Sequence, residues 1–281
     1  MRLDAADLSL RGGRALFGAG GKRLEQVEVA EGRFGASRFA GAVRRPSEDG
    51  TAEGEAWRAA LRGPLLDLRP FLSSGPAPRG KRGDRSGTEG RSLPIALDLR
   101  FDRALAGETG EFAGIAGGVW FDAAGILRAL RASGRTAAAP NATGGAFDLS
   151  LSPGGARRVL RISAEDGGAF LRAIDVNSIS GGRLSVAGAN EELRPGAPLN
   201  GVAELDNFVL RGAPAAAKVL QAMTLYGLVE AVQGGDGLVF SRLVAPFALT
   251  PDALVLRDAR AFSASLGVTA KGRIGRERRV A

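Results

Sequence analysis

Histidine and cysteine are both absent from the chain. Their absence removes the commonest general base, the thiolate nucleophile and the usual ligands of a structural zinc site. A Ser-His-Asp arrangement is excluded outright, and so is any disulfide framework. Aromatic residues are scarce at 6%, with a single tyrosine, which leaves little surface for stacking on nucleic-acid bases. Long apolar runs are missing too: nothing approaches the ~18 consecutive residues of a membrane-spanning helix. The opening stretch, MRLDAADLSLRGGRALFG, carries charges through its apolar residues, so no signal peptide is read there.

What the chain has in excess is glycine, 42 residues of 281, and arginine: only four of its 38 basic residues are lysines (Lys22, Lys81, Lys218 and Lys271). The net charge is +8. Such a balance favours anionic surfaces, but the arginines are scattered along the chain and no nucleic-acid partner is expected. A hydrophobic share of 44% with 24% charged residues fits a folded chain with many tight turns.

Strand after strand follows in the hydropathy pattern. Residues 1–72 read as β-meander repeats. Within them Leu24 to Ala30 and Arg33 to Val43 form a pair joined at Glu31-Gly32, and Pro64 and Pro70 push the end of the region to an edge or loop. Residues 73–92 lack apolar periodicity and read as a flexible loop or linker. Residues 93–164 resume the meander. Ile95, Leu97, Leu99 and Phe101 alternate strictly, as do Phe147, Leu149 and Leu151, while Val159 faces away from Leu160 and Ile162. GGVW and ISGGRL read as turns.

Residues 165–274 form a third β-rich region interrupted by two helical stretches. Asp166 to Ile174 is one, with Asp166 as its amino-terminal cap. About 213–234 is the other, with Pro214 in its first turn and Gly234 at its stop. Phe240 falls out of phase with Leu243, Ala245, Phe247 and Leu249, which predicts a bulge near Ser241-Arg242, and Pro246 predicts an irregular position. Leu254, Leu256 and Phe262 share a parity on which Asp258 and Arg260 intrude. Residues 275–281 are a charged tail.

Reactive groups in a recognisable setting are scarce. GAGGKR, Gly18 to Arg23, fails as a phosphate loop, since Leu16 stands where its first glycine belongs and Arg23 replaces Ser/Thr; a hairpin turn is expected. Asn141 opens a short glycosylation pattern. No carboxylate pair sits in a recognisable catalytic setting, so no enzyme, cofactor or metal is expected.

Three stretches carry a resemblance: EDGGAFLRAI…SISGGRLSVAG (Glu165 to Gly188), APLNGVAELDNFVLRGAP (Ala197 to Pro214), and the run from Gly237 to Ile274. Together they resemble the carboxy-terminal region of AsmA-like proteins, in particular the large YhdP-type members of Gram-negative bacteria, relatives of TamB. The resemblance implies a mainly β fold, a long curved antiparallel sheet forming an open apolar trough. It implies a bridge-like carrier of phospholipid through the periplasm toward the outer membrane, anchored at the inner membrane in full-length relatives. It also implies that this chain is a fragment, pairing with the remaining strands of a longer protein or with an envelope partner. The lining expected to meet acyl chains comprises Leu184 and Val186; Leu205, Phe208 and Leu210; Leu243, Phe247 and Leu249; Leu254, Leu256 and Phe262; and Leu266, Val268 and Ile274. The competing expectation is a non-catalytic scaffold that binds partner proteins. A membrane barrel fits poorly with Asp258 and Arg260 on an apolar parity.

Overall fold

The alternating runs become strands of a single sheet in the computed structural model. It describes residues 3–5, 8–18, 20–46, 56–73, 94–137, 144–155, 157–190, 192, 196–211, 237–264 and 266–275. The predicted helix at 213–234, most of the 73–92 linker, Asn141 and the 275–281 tail beyond Gly275, which ends the last strand, lie outside these residues.

The amino-terminal strands are β1 (Leu3–Ala5), β2 (Leu8–Arg11), β3 (Arg14–Phe17), β4 (Leu24–Phe34), β5 (Ser37–Arg44) and β6 (Trp57–Asp67). A short helix, α1 (Arg69–Ser73), follows. Next come β7 (Ile95–Leu105), β8 (Glu111–Phe121), β9 (Leu127–Thr136), β10 (Ala146–Gly154) and β11 (Arg157–Ala164). A second helix, α2 (Gly167–Ala173), precedes β12 (Ile179–Asn190), β13 (Leu199–Arg211), β14 (Gly237–Leu249), β15 (Ala253–Phe262) and β16 (Gly267–Gly275). All sixteen strands belong to one open, curved sheet. They pair in chain order, except that β2 and β3 share one edge of β4, end to end. The chain is therefore mainly β, as the alternation predicts.

One junction departs from the meander. β6 and β7 run parallel, with Trp57 beside Ile95 and Asp67 beside Leu105. Parallel neighbours need a crossover rather than a tight turn, and the connection between them begins with α1. Every other pairing is antiparallel.

Several local expectations change. Glu31-Gly32 is not a turn: β4 runs on to Phe34, the reversal comes at Gly35, and Gly32 marks a register shift inside the strand. The reason is close packing, since a Cβ on Gly32 would lie 2.3 Å from the Phe39 ring. GGVW lies inside β8 and ISGGRL inside β12. Pro64 stays within β6, beside the point where its pairing with β5 shifts register. The turn expected between β3 and β4 is present, closed by Gly18 N–H donating to the Arg23 carbonyl at 2.9 Å.

The core gathers where α2 lies over the sheet. Phe170 of α2 packs within 5.4 Å of both Phe112 and Phe147, which are 4.7 Å from each other, centroid to centroid. The carboxylate of Asp166 caps the helix by accepting the Ala169 N–H at 2.8 Å. At the other end, Asp175 accepts the Glu108 N–H at 2.9 Å and ties the β7–β8 turn to the helix.

Candidate apolar face and the opposite furrow

Residues directly paired across neighbouring strands share a face of the sheet, so the register threads side chains into rows perpendicular to the strands. One row runs Phe147, Ala164, Leu184, Leu205, Leu243, Ala261, Val268, from β10 to β16 without a break. A second, two residues along, runs Ala132, Leu149, Ile162, Val186, Ala203, Ala245. A third holds Leu130, Leu151, Leu160, Gly188, Gly201, Phe247 and Leu256. The fourth begins at Arg158 and continues through Asn190, Leu199, Leu249, Leu254 and Ile274.

Ten of the fourteen sequence-predicted lining residues fall into these rows: Leu184, Val186, Leu205, Leu243, Phe247, Leu249, Leu254, Leu256, Val268 and Ile274. Their accessibility differs. Beneath α2 the first row is sealed, and Leu205 is 1% exposed. Leu243, Leu249, Leu254, Leu256 and Val268 are half-buried, as are Leu130, Leu149, Leu160 and Ile162 closer to the middle of the sheet. At the free edge Ile274 is 60% exposed.

The remaining four behave otherwise. Phe208 is buried and stacks on Phe240, with ring centroids 5.4 Å apart. Leu210 pairs with Ile179 and Leu238 beside it. Leu266 sits in the β15–β16 turn, where its N–H donates to the Ser263 hydroxyl at 3.0 Å, and its side chain packs against the core. Phe262 pairs with Arg242 and so lies on the opposite face, 47% exposed. A register shift between Leu256 and Ala259 produces that inversion. The extra residue turns Arg260 and Phe262 outward and Ala259 and Ala261 inward, which also removes the apparent intrusion of Asp258 and Arg260 on the apolar parity.

The phase break expected at Ser241-Arg242 is present as two consecutive exposed residues between buried Phe240 and half-buried Leu243. It lines up with Asn207, at φ 56°, and with Gly181 and Gly182 on β12, at φ 66° and 84°. The β14–β15 register shifts again between Val244 and Phe247, around Pro246.

On the other face lies a furrow of about 1220 Å³. Two cross-strand rows line it: Asp98, Gly118, Arg131, Ser150, Arg161, Ala187, and beside them Ala116, Ser133, Asp148, Ser163, Ser185. Leu97, Val119 and Trp120 also line it, as do Ala132, Leu149, Ile162 and Val186 of the second apolar row; of the predicted lining only Val186 contributes.

One end of the apolar face carries charge that sequence reasoning passed over. Arg158 shares its parity with Leu160 and Ile162. Its Nη1 donates to the Leu127 carbonyl at 2.8 Å, while its Nε is buried with no acceptor. Burial, helped by repulsion from Arg128, holds its guanidinium pKa below the usual arginine value. Arg128 is itself paired with Asp122, Nε to Oδ2 at 2.5 Å. Burial pushes the Asp122 carboxyl up, but the N–H groups of Ile126 and Ala124 together with Arg128 outweigh it, and its pKa is lowered. The available signal was an arginine on the greasy parity of RVLRIS.

Among the described residues no group of three or more His, Cys, Asp and Glu side chains is placed to hold a metal ion, and no helix is long and apolar enough to cross a membrane. Compared with protein-family models, with curated proteins and with solved structures, the chain matches none of them.

Proposed function

We propose that this chain is a segment of a bridge-like lipid-transfer protein whose apolar sheet face binds phospholipid acyl chains. The observation that carries the reading is the set of cross-strand rows, the first two apolar throughout, in which Val186 and Phe247 are buried but Leu149, Leu160, Ile162, Leu243, Leu256 and Val268 stay only half-buried, on a single-layered sheet. Strands touch their sheet neighbours, and α2 lies over β12 and reaches β9. A one-layered sheet with one apolar face needs a cover. Hydrocarbon tails supply one through burial alone, at ~25 cal/mol per Å² of apolar surface, with no reactive group required. Rows that cross from strand to strand let a tail shift from one position to the next without leaving apolar contact.

On this reading, and as the resemblance to AsmA-like proteins implies, the activity belongs to the periplasm and serves the outer membrane, with further strands of a longer protein or an envelope partner completing the track. A scaffold role has its own support in the exposed apolar residues near the two ends of the sheet, Phe17 on β3 and Ile274 on β16. The carrier reading is tested by purifying the chain without detergent and analysing it by native mass spectrometry and lipid extraction. Co-purifying phospholipid is the expected result; protein that is repeatedly empty refutes the reading.

A further inference from the structure

We propose that the guanidinium of Arg158 receives the phosphate of a lipid whose tails lie along the apolar face, a site that rests on the carrier reading above. The two ends of that face differ in chemistry. Toward α2 it closes on Phe112, Phe147 and Phe170. Six residues along β11, at ~3.3 Å per residue, the opposite end lies about 20 Å away, and Arg158 stands there. That span exceeds the ~15 Å of one leaflet's hydrocarbon, so an acyl chain laid along the strands fits between the phenylalanines and the arginine.

Among the described residues Arg158 has no anionic partner, and its one acceptor there is the Leu127 carbonyl. Its Nη2 has no acceptor among the described residues, and a charge-assisted hydrogen bond to an arriving oxygen is favourable. The nearby charges do not satisfy the guanidinium. Arg128 repels it, and Asp122 is engaged by Arg128 and by the Ala124 and Ile126 N–H groups. Asn190, the neighbour of Arg158 in the row, is already satisfied: its Nδ2 donates to the Ala197 and Pro198 carbonyls at 2.9 and 3.1 Å. An arginine fork suits the oxygens of a phosphate better than a point charge does. The site therefore selects phosphate-bearing lipids over neutral ones and orients them, heads at the Arg158 end and tails toward α2.

Isothermal titration calorimetry on the full chain separates the outcomes, using dioctanoyl phosphatidic acid, dioctanoylglycerol and inorganic phosphate as probes. The phosphatidic acid should bind roughly tenfold more tightly than the glycerol lipid, the scale of one charge-assisted contact. Arg158→Gln should abolish that preference, bringing the affinities for the two lipids within about twofold of each other. Arg158→Lys, which retains the charge and is the milder change, should lose part of the preference. Equal affinity for the two lipids in wild type, or an undiminished preference in either variant, overturns the phosphate site and leaves the carrier reading intact. Binding of neither lipid overturns both. Inorganic phosphate binding as tightly as phosphatidic acid would make this a free-anion site and overturn the headgroup assignment.

Discussion

Gly168, in the first turn of α2, presses on Gly181 of β12: a Cβ on the former would lie 2.5 Å from the amide nitrogen of the latter. The neighbouring Gly167 is equally constrained, since a Cβ there would lie 2.5 Å from Leu205 Cδ1. Two consecutive glycines thus let a seven-residue helix rest directly on the sheet backbone. Gly181 and Gly182, both at positive φ, bend the strand beneath it.

Gly168→Ala should therefore cost about 1–3 kcal/mol, the usual penalty of overpacking, and lower the thermal midpoint. The contact is with backbone, which cannot swing aside as a side chain would. Gly272→Ala is the matched control: it adds the same methyl to β16, where nothing lies within 4 Å of the new Cβ. Its effect should stay within about 0.5 kcal/mol. Equal effects in the two variants would contradict the close approach of α2.

The helix cap gives a smaller, separable effect. Asp166 is 6% exposed and accepts the Ala169 N–H at 2.8 Å. Asp166→Ala should lower stability by about 1 kcal/mol in urea unfolding, whereas Asp166→Asn keeps an acceptor and should lose less.

These two features illustrate what the sequence discloses and what it conceals. Asp166 before a short apolar run is a local signal, and so is the alternation of Ile95, Leu97, Leu99 and Phe101; both carry straight into the fold. Glu31-Gly32 misleads because Gly can mark either a turn or a place where an aromatic ring lies against the backbone. Only the partner, Phe39, decides between them. Phe262 misleads because one extra residue in β15 inverts every later side chain. The parallel β6–β7 pair has no local signature at all, since its partners are set by where a long connection returns. Arg158 was visible as a charge on an apolar parity, but its missing acceptor is a property of three-dimensional packing.

Acid should weaken the amino-terminal half through Asp67. The side-chain hydrogen bonds from Arg69, followed by its backbone N–H and its charge, hold the Asp67 carboxyl below its ordinary 3.8 despite partial burial. A carboxyl whose folded pKa is depressed stabilises the fold above its unfolded value, and that contribution disappears as pH falls through the folded value. The stability difference between wild type and Asp67→Asn should thus be constant near neutrality and shrink once pH drops below about 3.8. Urea unfolding of the two proteins across pH 2.5 to 6 (roughly two units around a carboxylate's ordinary value) measures it. A difference that grew toward low pH would contradict the pairing.

The two sides of β15 and β16 should respond differently to an added charge. Leu256 and Val268 belong to apolar rows, while Phe262 and Thr269 lie on the other face, Phe262 paired with Arg242 and Thr269 with Arg260. Placing a carboxylate among half-buried apolar side chains would force a bound tail to share its track with a desolvated charge, at a cost of several kcal/mol unless the charge is neutralised. Leu256→Asp and Val268→Asp should therefore reduce co-purifying lipid several-fold at constant folded content. Phe262→Asp and Thr269→Asp introduce the same charge on neighbouring positions and should leave loading unchanged. The Phe262 variant is the sharper control, because strict alternation from Leu256 would put that side chain in the groove and only the bulge takes it out. Circular dichroism verifies folding, and phosphate analysis of extracted lipid gives the loading. If the Phe262 and Leu256 variants lost lipid equally, tails would not be confined to the apolar rows.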